Sequence, residues 1–210
     1  MYRPPATVID NVPVLHDVIR RRGFATIAAS VEGRASLAYA PVLLDAEPGP
    51  LGQLRFHLSR GNPLADLANR EVRLSFLGPD AYVSPDWYET KGAVPTWNYI
   101  AVEGAGRMRL LDDSGLCRLV ADLSAVHEER LRPKPPWTLD KIPEDRLAAL
   151  LNGIRGFAVT FEVLEGKFKL GQEKGATNMA GVMAGLEARG DAASLAVARA
   201  MRERWTTSEH

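Results

Sequence analysis

The chain of 210 residues has one cysteine and lacks the patterns that mark secreted, metal-binding and membrane proteins. Cys117 has no second cysteine with which to form a disulfide inside the chain, which favours a reducing compartment. The four histidines are scattered, without the spacing of a metal site. No apolar run approaches the roughly 18 residues of a membrane span, and the N-terminus has no apolar signal segment. We therefore expect a globular, cytoplasmic protein that holds no metal and does not enter a membrane.

An excess of charge of one sign is also absent, because 26 Lys and Arg residues balance 26 Asp and Glu residues. Proteins that bind nucleic acid tightly usually carry a basic excess on one face, so direct DNA binding is not favoured. The candidate basic patch is the end of the last predicted helix, with Arg199, Arg202 and Arg204. A solvated or dimer-facing helix surface is the commoner use of such residues. The motifs of hydrolase nucleophile elbows, P-loops and Rossmann nucleotide sites are missing as well.

What the sequence does contain is a series of strand-like segments interrupted by helices. Alternating apolar residues between turn residues predict strands over 24–31, 34–45, 54–59, 71–79, 94–111 and 154–172. Helical spacing predicts helices over 11–23, 112–131, 143–153, 176–190 and 191–205, with a shorter one after Asn62. Strands and helices do not alternate regularly, which favours a mainly β (α+β) protein, an antiparallel barrel with accessory helices. A shift in the apolar phase of the last strand predicts a bulge near Gly166.

The segment HLSRGNP, from His57 to Pro63, has two interpretations. A strand that ends where a helix begins offers free backbone N–H groups, and Ser59 and Arg60 add a hydroxyl and a guanidinium. Such a group of donors suits a phosphate. Alternatively, Asn62 is only a helix cap and Arg60 is a solvated surface residue, which is the commoner arrangement. The residues alone leave both interpretations open.

The segment YVSPDWYETKGAVPTWNY, residues 82–99, is rich in aromatic residues. Trp97 and Tyr99 flank Asn98, and Trp87 and Tyr88 lie just upstream. A pocket for a flat heterocycle combines a large apolar area with a few polar groups in this way. An ordinary core or an oligomer interface is the alternative, since both are rich in Trp and Tyr. Asn98 favours the pocket, because a buried amide needs hydrogen-bond partners.

The segment EGKFKLGQEK, residues 165–174, places Lys167, Lys169 and Gln172 at the end of the last strand. A solvated basic strand end is the ordinary interpretation of such a run. The alternative is a second set of donors for an anion or for the edge of a heterocycle.

Taken together, these segments resemble one protein family. MYRPP at the start, then HLSRGNP, GPDAYVSPDWY, VPTWNY, IRGFAVTFEVLEGKFKLGQ and GVMAGL follow the order of the PaiB family of FMN-binding split-barrel proteins. Members of this family are often described as negative transcriptional regulators of sporulation and protease genes. The resemblance extends to about Leu186. It implies a six-stranded antiparallel split barrel that forms a homodimer and binds FMN at the subunit interface.

The resemblance also implies roles for individual residues. The group near the phosphate would be Ser59, Arg60 and Asn62. The wall near the flavin ring would be formed by Trp97, Asn98 and Tyr99. The site would be closed by Lys167, Lys169 and Gln172. The implied split-barrel domain spans residues 1–172, and residues 173–210 form a helical extension.

Two segments depart from the family pattern. The family usually has KLSQN at the end of the last strand, whereas this chain has KLGQEK, so that Gly171 removes a hydroxyl and Glu173 replaces an amide. If this turn contacts the flavin phosphate, these two changes predict weaker FMN binding or a different ligand. In the segment AVEGAG, Glu103 stands where the family commonly has histidine, which is expected to alter the polarity of the pocket.

Three functions are compatible with the sequence. The first is an FMN-binding homodimer of the PaiB type, a negative transcriptional regulator or flavin-linked regulatory protein that acts through DNA or through a protein partner. The second is an FMN-dependent oxidoreductase that moves electrons from NAD(P)H to a small acceptor, where the cofactor does the chemistry and few side chains need be catalytic. The third is a haem-binding split barrel, for which His57 is the histidine near the predicted site.

Overall fold

A computed structural model describes residues 1–208, which form eight β-strands and five α-helices. The strands are β1 (Val8–Ile9), β2 (Phe24–Val31), β3 (Arg34–Asp45), β4 (Gln53–Ser59), β5 (Glu71–Val83), β6 (Thr96–Leu110), β7 (Ile154–Thr160) and β8 (Val163–Lys169). The helices are α1 (Val12–Arg22), α2 (Asp113–Glu129), α3 (Glu144–Asn152), α4 (Ala176–Arg189) and α5 (Ala192–Ser208). Within residues 1–208, none of the helices is both long and apolar enough to span a bilayer. The predicted α+β class is confirmed.

The strands pair in the order β1-β8-β6-β5-β2-β3-β4-β7, and β6 also pairs with β7. The strand pairs with a defined register are antiparallel. Because β6 pairs with β7, the pairings of six strands close on themselves, from β6 through β5, β2, β3, β4 and β7. These are the six strands of the predicted split barrel, and β8 and β1 extend the sheet beyond β6 to eight strands.

The last predicted strand is divided into two. The backbone N–H of Phe161 donates to the carbonyl of Gly52 at 3.0 Å, and that of Glu162 donates to the carbonyl of Ala105 at 2.8 Å. The chain then changes partner, since β8 pairs with β1, where Ile9 faces Gly166. The prediction of a bulge near Gly166 is therefore wrong. The apolar phase shifts at Phe161 and Glu162, because the chain leaves one pairing there and enters another.

The described residues divide into two compact units, and each is described by itself. The first contains residues 1–15, 77–102 and the described residues from 165 onward. In this unit α4 and α5 pack together and bury Met179, Val182, Leu186, Val197 and Met201. Trp87 lies against α4, where a Cβ on Gly185 would be 2.3 Å from the indole Cδ2. The domain division at residue 172 stays a prediction.

The second unit contains residues 16–76 and 103–164. Its β2–β3 hairpin turns through Glu32 and Gly33, which both have positive φ. Asp112 caps α2 by accepting a hydrogen bond from the Gly115 backbone at 2.7 Å. Buried leucines of α2 then pack against Leu43 of β3. As a result, α2 covers part of the sheet in this unit.

Candidate functional site

The first unit carries an exposed face on which aromatic residues stand side by side. Side chains alternate along a strand, so Trp97 and Tyr99 of β6 share one face and Asn98 lies on the other. The Trp97 side chain is half exposed, at 52%. Tyr82 of β5 meets it edge-on, with ring centroids 6.2 Å apart and an angle of 77° between the planes. This edge-on contact fixes the orientation of the indole and leaves part of its surface exposed to solvent.

Two lysines of β8 complete this face. The Lys167 Nζ lies 5.3 Å from the ring centroid of Tyr99 and 5.5 Å from that of Tyr2. Both distances are within the range of cation–π attraction. The Lys169 Nζ donates a hydrogen bond to the Thr96 Oγ1 at 2.5 Å. We call these residues the aromatic–lysine face: Tyr82, Trp97, Tyr99, Lys167 and Lys169. Flat apolar rings beside ammonium groups can bind a planar molecule that carries electron-rich edge atoms.

The Asn98 side chain does not lie on the same face of β6 as the side chains of Trp97 and Tyr99. The side chain is 2% exposed, and its Nδ2 donates to the Met201 Sδ of α5 at 3.4 Å. A thioether is a weak acceptor, so this contact satisfies the amide only in part. The sequence argument that Asn98 is buried and needs a partner holds, but the partner belongs to the helical layer and not to the aromatic–lysine face.

Gln172 is fully engaged in local structure. Its Oε1 accepts from the Leu170 backbone at 2.8 Å, and its Nε2 donates to the carbonyls of Ala6 and Phe168 at 2.7 and 2.6 Å. These three bonds fix the end of β8 to the N-terminal segment. The geometry assigns Gln172 a structural task and leaves its amide without a donor for a ligand.

The departures from the family pattern have local explanations. Gly171 has a φ of +75°, which side chains with a Cβ rarely adopt, so serine would be strained at this position. Burial and, to a lesser degree, the charge of Glu173 raise the pKa of Tyr88. Glu103 forms an ion pair with Arg73, at 3.8 Å between the two strands β6 and β5. An acid at position 103 therefore has a cationic partner within its own unit.

The phosphate-proximal candidates lie in the second unit. Ser59 ends β4 and is exposed. The Asn62 Oδ1 accepts a hydrogen bond from the Leu64 backbone at 2.9 Å, so Asn62 caps a short 3-10 helix as the simpler interpretation predicts. The Arg60 Nε donates to the carbonyl of Asn152 at 2.8 Å, and its terminal guanidinium nitrogens have no partner among the described residues.

Arg60 lines a cavity of about 380 Å³, together with Leu110, Leu116, Leu151, Asn152 and Arg155. Arg155 is engaged in part, because its Nη1 donates to the Ala65 carbonyl at 2.9 Å and to the Asp66 carboxylate at 2.5 Å. Asp113 also contributes to the lining and adds one negative charge. Arg60 therefore offers both of its terminal nitrogens to an anionic group, whereas Arg155 has one of its own bonded within the protein.

One residue of the aromatic–lysine face, Tyr82, was missed by the sequence analysis. It lies on the neighbouring strand β5, and reading the face across strands would have found it. Tyr2 carries no such signal, because it precedes the first strand and its position depends on contacts far along the chain. The Met1 amine and Arg3 both pair with Glu165 at 3.0 Å, and these ion pairs hold the N-terminal segment beside β8.

Comparisons with known proteins show the family of this chain. Residues 1–162 match the protein family described as "Putative FMN-binding domain". The chain is similar to an uncharacterised protein of Aspergillus fumigatus, with 30% identity over 97% of both chains. It is also similar to "Protease synthase and sporulation protein PAI 2" of Bacillus subtilis, with 26% identity over 89% of both chains.

Two solved structures have the same fold. The FAD and haem binding protein of Mycobacterium smegmatis matches with a TM-score of 0.60 and 16% identity, over 83% of this chain and 78% of that one. The flavocytochrome Anf3 of Azotobacter vinelandii matches with a TM-score of 0.58 and 13% identity, over 80% of this chain and 72% of that one. At these identities the likeness shows the split-barrel fold.

Proposed function

The chain belongs to the PaiB-type family of FMN-binding proteins, and on that premise we propose that it is a homodimeric, flavin-linked regulatory protein. FMN is the cofactor that this membership gives it. A regulatory role is proposed because the relative from B. subtilis is named for protease synthesis and sporulation. When bound, FMN supplies the ability to accept and donate electrons.

The observation that carries the proposal is the aromatic–lysine face. Trp97 offers an open indole surface, and Tyr99 lies beside it with the Lys167 ammonium 5.3 Å from its ring. An isoalloxazine ring is flat and largely apolar, with polar atoms along one edge. The aromatic side chains would stack on such a ring, and Lys167 and Lys169 would place positive charge at its edge. In this proposal Asn98 and Gln172 position the site without touching the flavin. Asn98 bonds to Met201, and Gln172 bonds to the N-terminal segment at Ala6.

Within the second unit, the Arg60 cavity is proposed to bind a phosphate group, as the family resemblance implies for Arg60. The free guanidinium nitrogens of Arg60 suit a phosphate, since an arginine fork can donate two parallel hydrogen bonds to its oxygens. Ser59 offers an exposed hydroxyl next to Arg60 in the chain. Asn62 holds the turn by capping the short helix that follows.

The homodimer is proposed from an apolar sheet face in the second unit. Phe24, Leu37 and Tyr39 are large and 47%, 55% and 62% exposed. Phe24 is opposite Pro41 in the β2–β3 register, so it lies on the same face as Tyr39 and Leu37. An exposed group of this kind is typical of an interface between copies. Tyr39→Glu should shift the protein from dimer to monomer in light scattering after gel filtration, whereas Val163→Glu should not.

The test of flavin binding is a titration of FMN with wild-type protein and with Trp97→Ala, followed by flavin fluorescence. Loss of the stacked indole should weaken binding by about two- to twelvefold, which corresponds to about 0.5–1.5 kcal/mol for one aromatic contact. Leu195→Ala is the control, because Leu195 is 44% exposed in the same unit but outside the aromatic–lysine face. If wild type and Trp97→Ala bind FMN with equal affinity, the flavin ring does not bind at this face.

The route of regulation is proposed to be a protein partner or the flavin state and not direct DNA binding. The net charge is zero, and in the basic end of α5 Arg202 already pairs with Glu187. A gel-shift assay with the protein's own promoter at physiological salt should show no complex. Steady consumption of NADH by FMN-loaded protein with a small acceptor would instead identify an oxidoreductase.

A further inference from the structure

A second cavity lies in the second unit, between the sheet and α2. Its volume is about 290 Å³, and its lining combines the apolar Pro41, Val120, Leu123 and Trp137 with the polar His57, Ser124, His127 and Glu128. His57 projects from β4, Val120 and Leu123 come from α2, and Trp137 comes from the connection after α2. None of the nine residues assigned to the flavin lines this cavity. We call it the His57 cavity.

The connection that carries Trp137 is fastened to α2. The backbone N–H of Trp137 donates to the Glu128 Oε2 at 2.8 Å, and the Lys134 ammonium pairs with the same carboxylate. This carboxylate therefore holds the connection back against the end of the helix. The sheet face below is fixed as well, because Arg55 of β4 binds Asp45 at 2.6 Å and Asp122 of α2 at 2.8 Å. Ion pairs thus hold the walls of the cavity, and one of them includes Glu128, which lines it.

One polar atom at this cavity lacks a hydrogen bond. The His57 Nδ1 is buried and has no hydrogen-bond partner in the described structure. A buried polar atom without a partner is costly and points to a group that the protein alone does not supply. Of the other polar side chains that line the cavity, Ser124 donates its hydroxyl to the Val120 carbonyl at 2.9 Å, and Glu128 accepts from Trp137 and pairs with Lys134. The buried polar atom without a partner is the His57 Nδ1.

We propose that the His57 cavity binds a small hydroxylated aromatic molecule, with its ring between Val120, Leu123 and Trp137 and its hydroxyl bonded to His57. The size fits a molecule of one or two rings, since about 150 Å³ holds benzene. The polar group should be a hydroxyl because it can both donate and accept, and so it matches the Nδ1 atom in either tautomer of a neutral imidazole. Glu128 in the wall disfavours an anionic ligand, and the apolar side chains would not offset the desolvation of a charge.

This site is independent of the proposed flavin site, and the experiment separates the two. The probes are 4-fluorophenol and 4-fluorotoluene, which differ in the hydroxyl, and binding is followed by fluorine NMR with FMN-free and FMN-saturated protein. Saturable binding of 4-fluorophenol is expected in both forms. Competition by FMN would show that the two ligands share one site and would overturn the proposal of a separate cavity.

Two variants locate the binding. His57→Phe keeps the ring and removes the nitrogen, so it should weaken 4-fluorophenol by about three- to tenfold, the value of one hydrogen bond, and leave 4-fluorotoluene unchanged. Val120→Trp should fill the cavity and abolish the binding of both probes. Val126→Trp is the matched control on the same helix, since Val126 is 42% exposed and does not line this cavity.

Each variant is first compared with the wild type by circular dichroism and by its FMN affinity, so that loss of fold is recognised. If wild-type protein binds neither probe at millimolar concentration, the proposal is wrong. It is also wrong if His57→Phe and Val120→Trp, both folded, bind 4-fluorophenol as the wild type does.

Discussion

Replacing Arg60 by alanine tests the phosphate assignment, because the structure separates the two tasks of this side chain. The Arg60 Nε donates to the Asn152 carbonyl at 2.8 Å, and the rest of the guanidinium is free at the cavity. The lost Nε bond should change stability little, at most about 1 kcal/mol, since the exposed carbonyl can bond to water. A charged hydrogen-bonding group is worth about 1.5–3 kcal/mol. FMN affinity should therefore fall by about 10- to 150-fold.

Riboflavin makes the test specific, because it has the flavin ring of FMN and lacks the phosphate. Titrations of both flavins with wild type, Arg60→Ala and Arg60→Lys give the contribution of the phosphate alone. Arg60→Ala should weaken the binding of FMN and leave the binding of riboflavin unchanged. Arg60→Lys should give an intermediate FMN affinity, since it keeps the charge but not the two parallel donors.

The matched control is Arg107→Ala. Arg107 is also exposed and also donates to a backbone carbonyl, that of Asn69 at 3.1 Å, but it does not line the Arg60 cavity. It should bind both flavins as the wild type does. An Arg60→Ala protein that is folded and binds FMN normally would refute the assignment, and so would an equal loss for FMN and riboflavin.

Three further predictions concern stability. Gly106→Ala should lower the free energy of unfolding by about 1–3 kcal/mol in urea, because its Cβ would lie 2.3 Å from the Thr160 carbonyl oxygen and the backbone must move; an unchanged midpoint would contradict this packing. Gly171→Ala should cost about 1 kcal/mol, read as a lower Tm, because φ is +75° and the Cβ would be 3.2 Å from the Met179 Sδ. Burial lowers the pKa of His57, so the unfolded state takes up the proton first and stability should fall as the pH drops below about 6.5. His57→Phe should flatten this part of the stability profile between pH 7 and 5, and an identical slope in the variant would show that another group is responsible.

Much of the fold was predictable because its signals are local. Each of the six predicted strand segments corresponds to strand in the structure, and the five longer predicted helices are present. The Glu32–Gly33 turn and the Asp112 cap depend on local signals as well, since turn and cap residues act through their own backbone neighbours. The family resemblance and FMN as cofactor are confirmed by the family match over residues 1–162. The roles of the nine assigned site residues stay predictions.

The break in the last strand shows where local signals end. The phase shift is visible in the sequence, but its position depends on which strands lie beside the chain. Phe161 and Glu162 bond to Gly52 and Ala105, which are distant in sequence, and β8 then pairs with β1. Apolar alternation reports the buried side of a strand and carries no information on its partner.

The segment VPTWNYIAVEGAG shows the same division within one strand. The sequence by itself determined that Trp97 and Tyr99 lie on one face and Asn98 on the other, because side chains alternate along any strand. Tertiary structure alone decided that Asn98 meets Met201 and that Lys167 stands beside Tyr99. It also decided that Glu103 pairs with Arg73, and that the His57 Nδ1 is buried beside a cavity beneath α2 without a partner. These contacts join segments far apart in the chain, and the pairing of strands and the packing of helices bring them together.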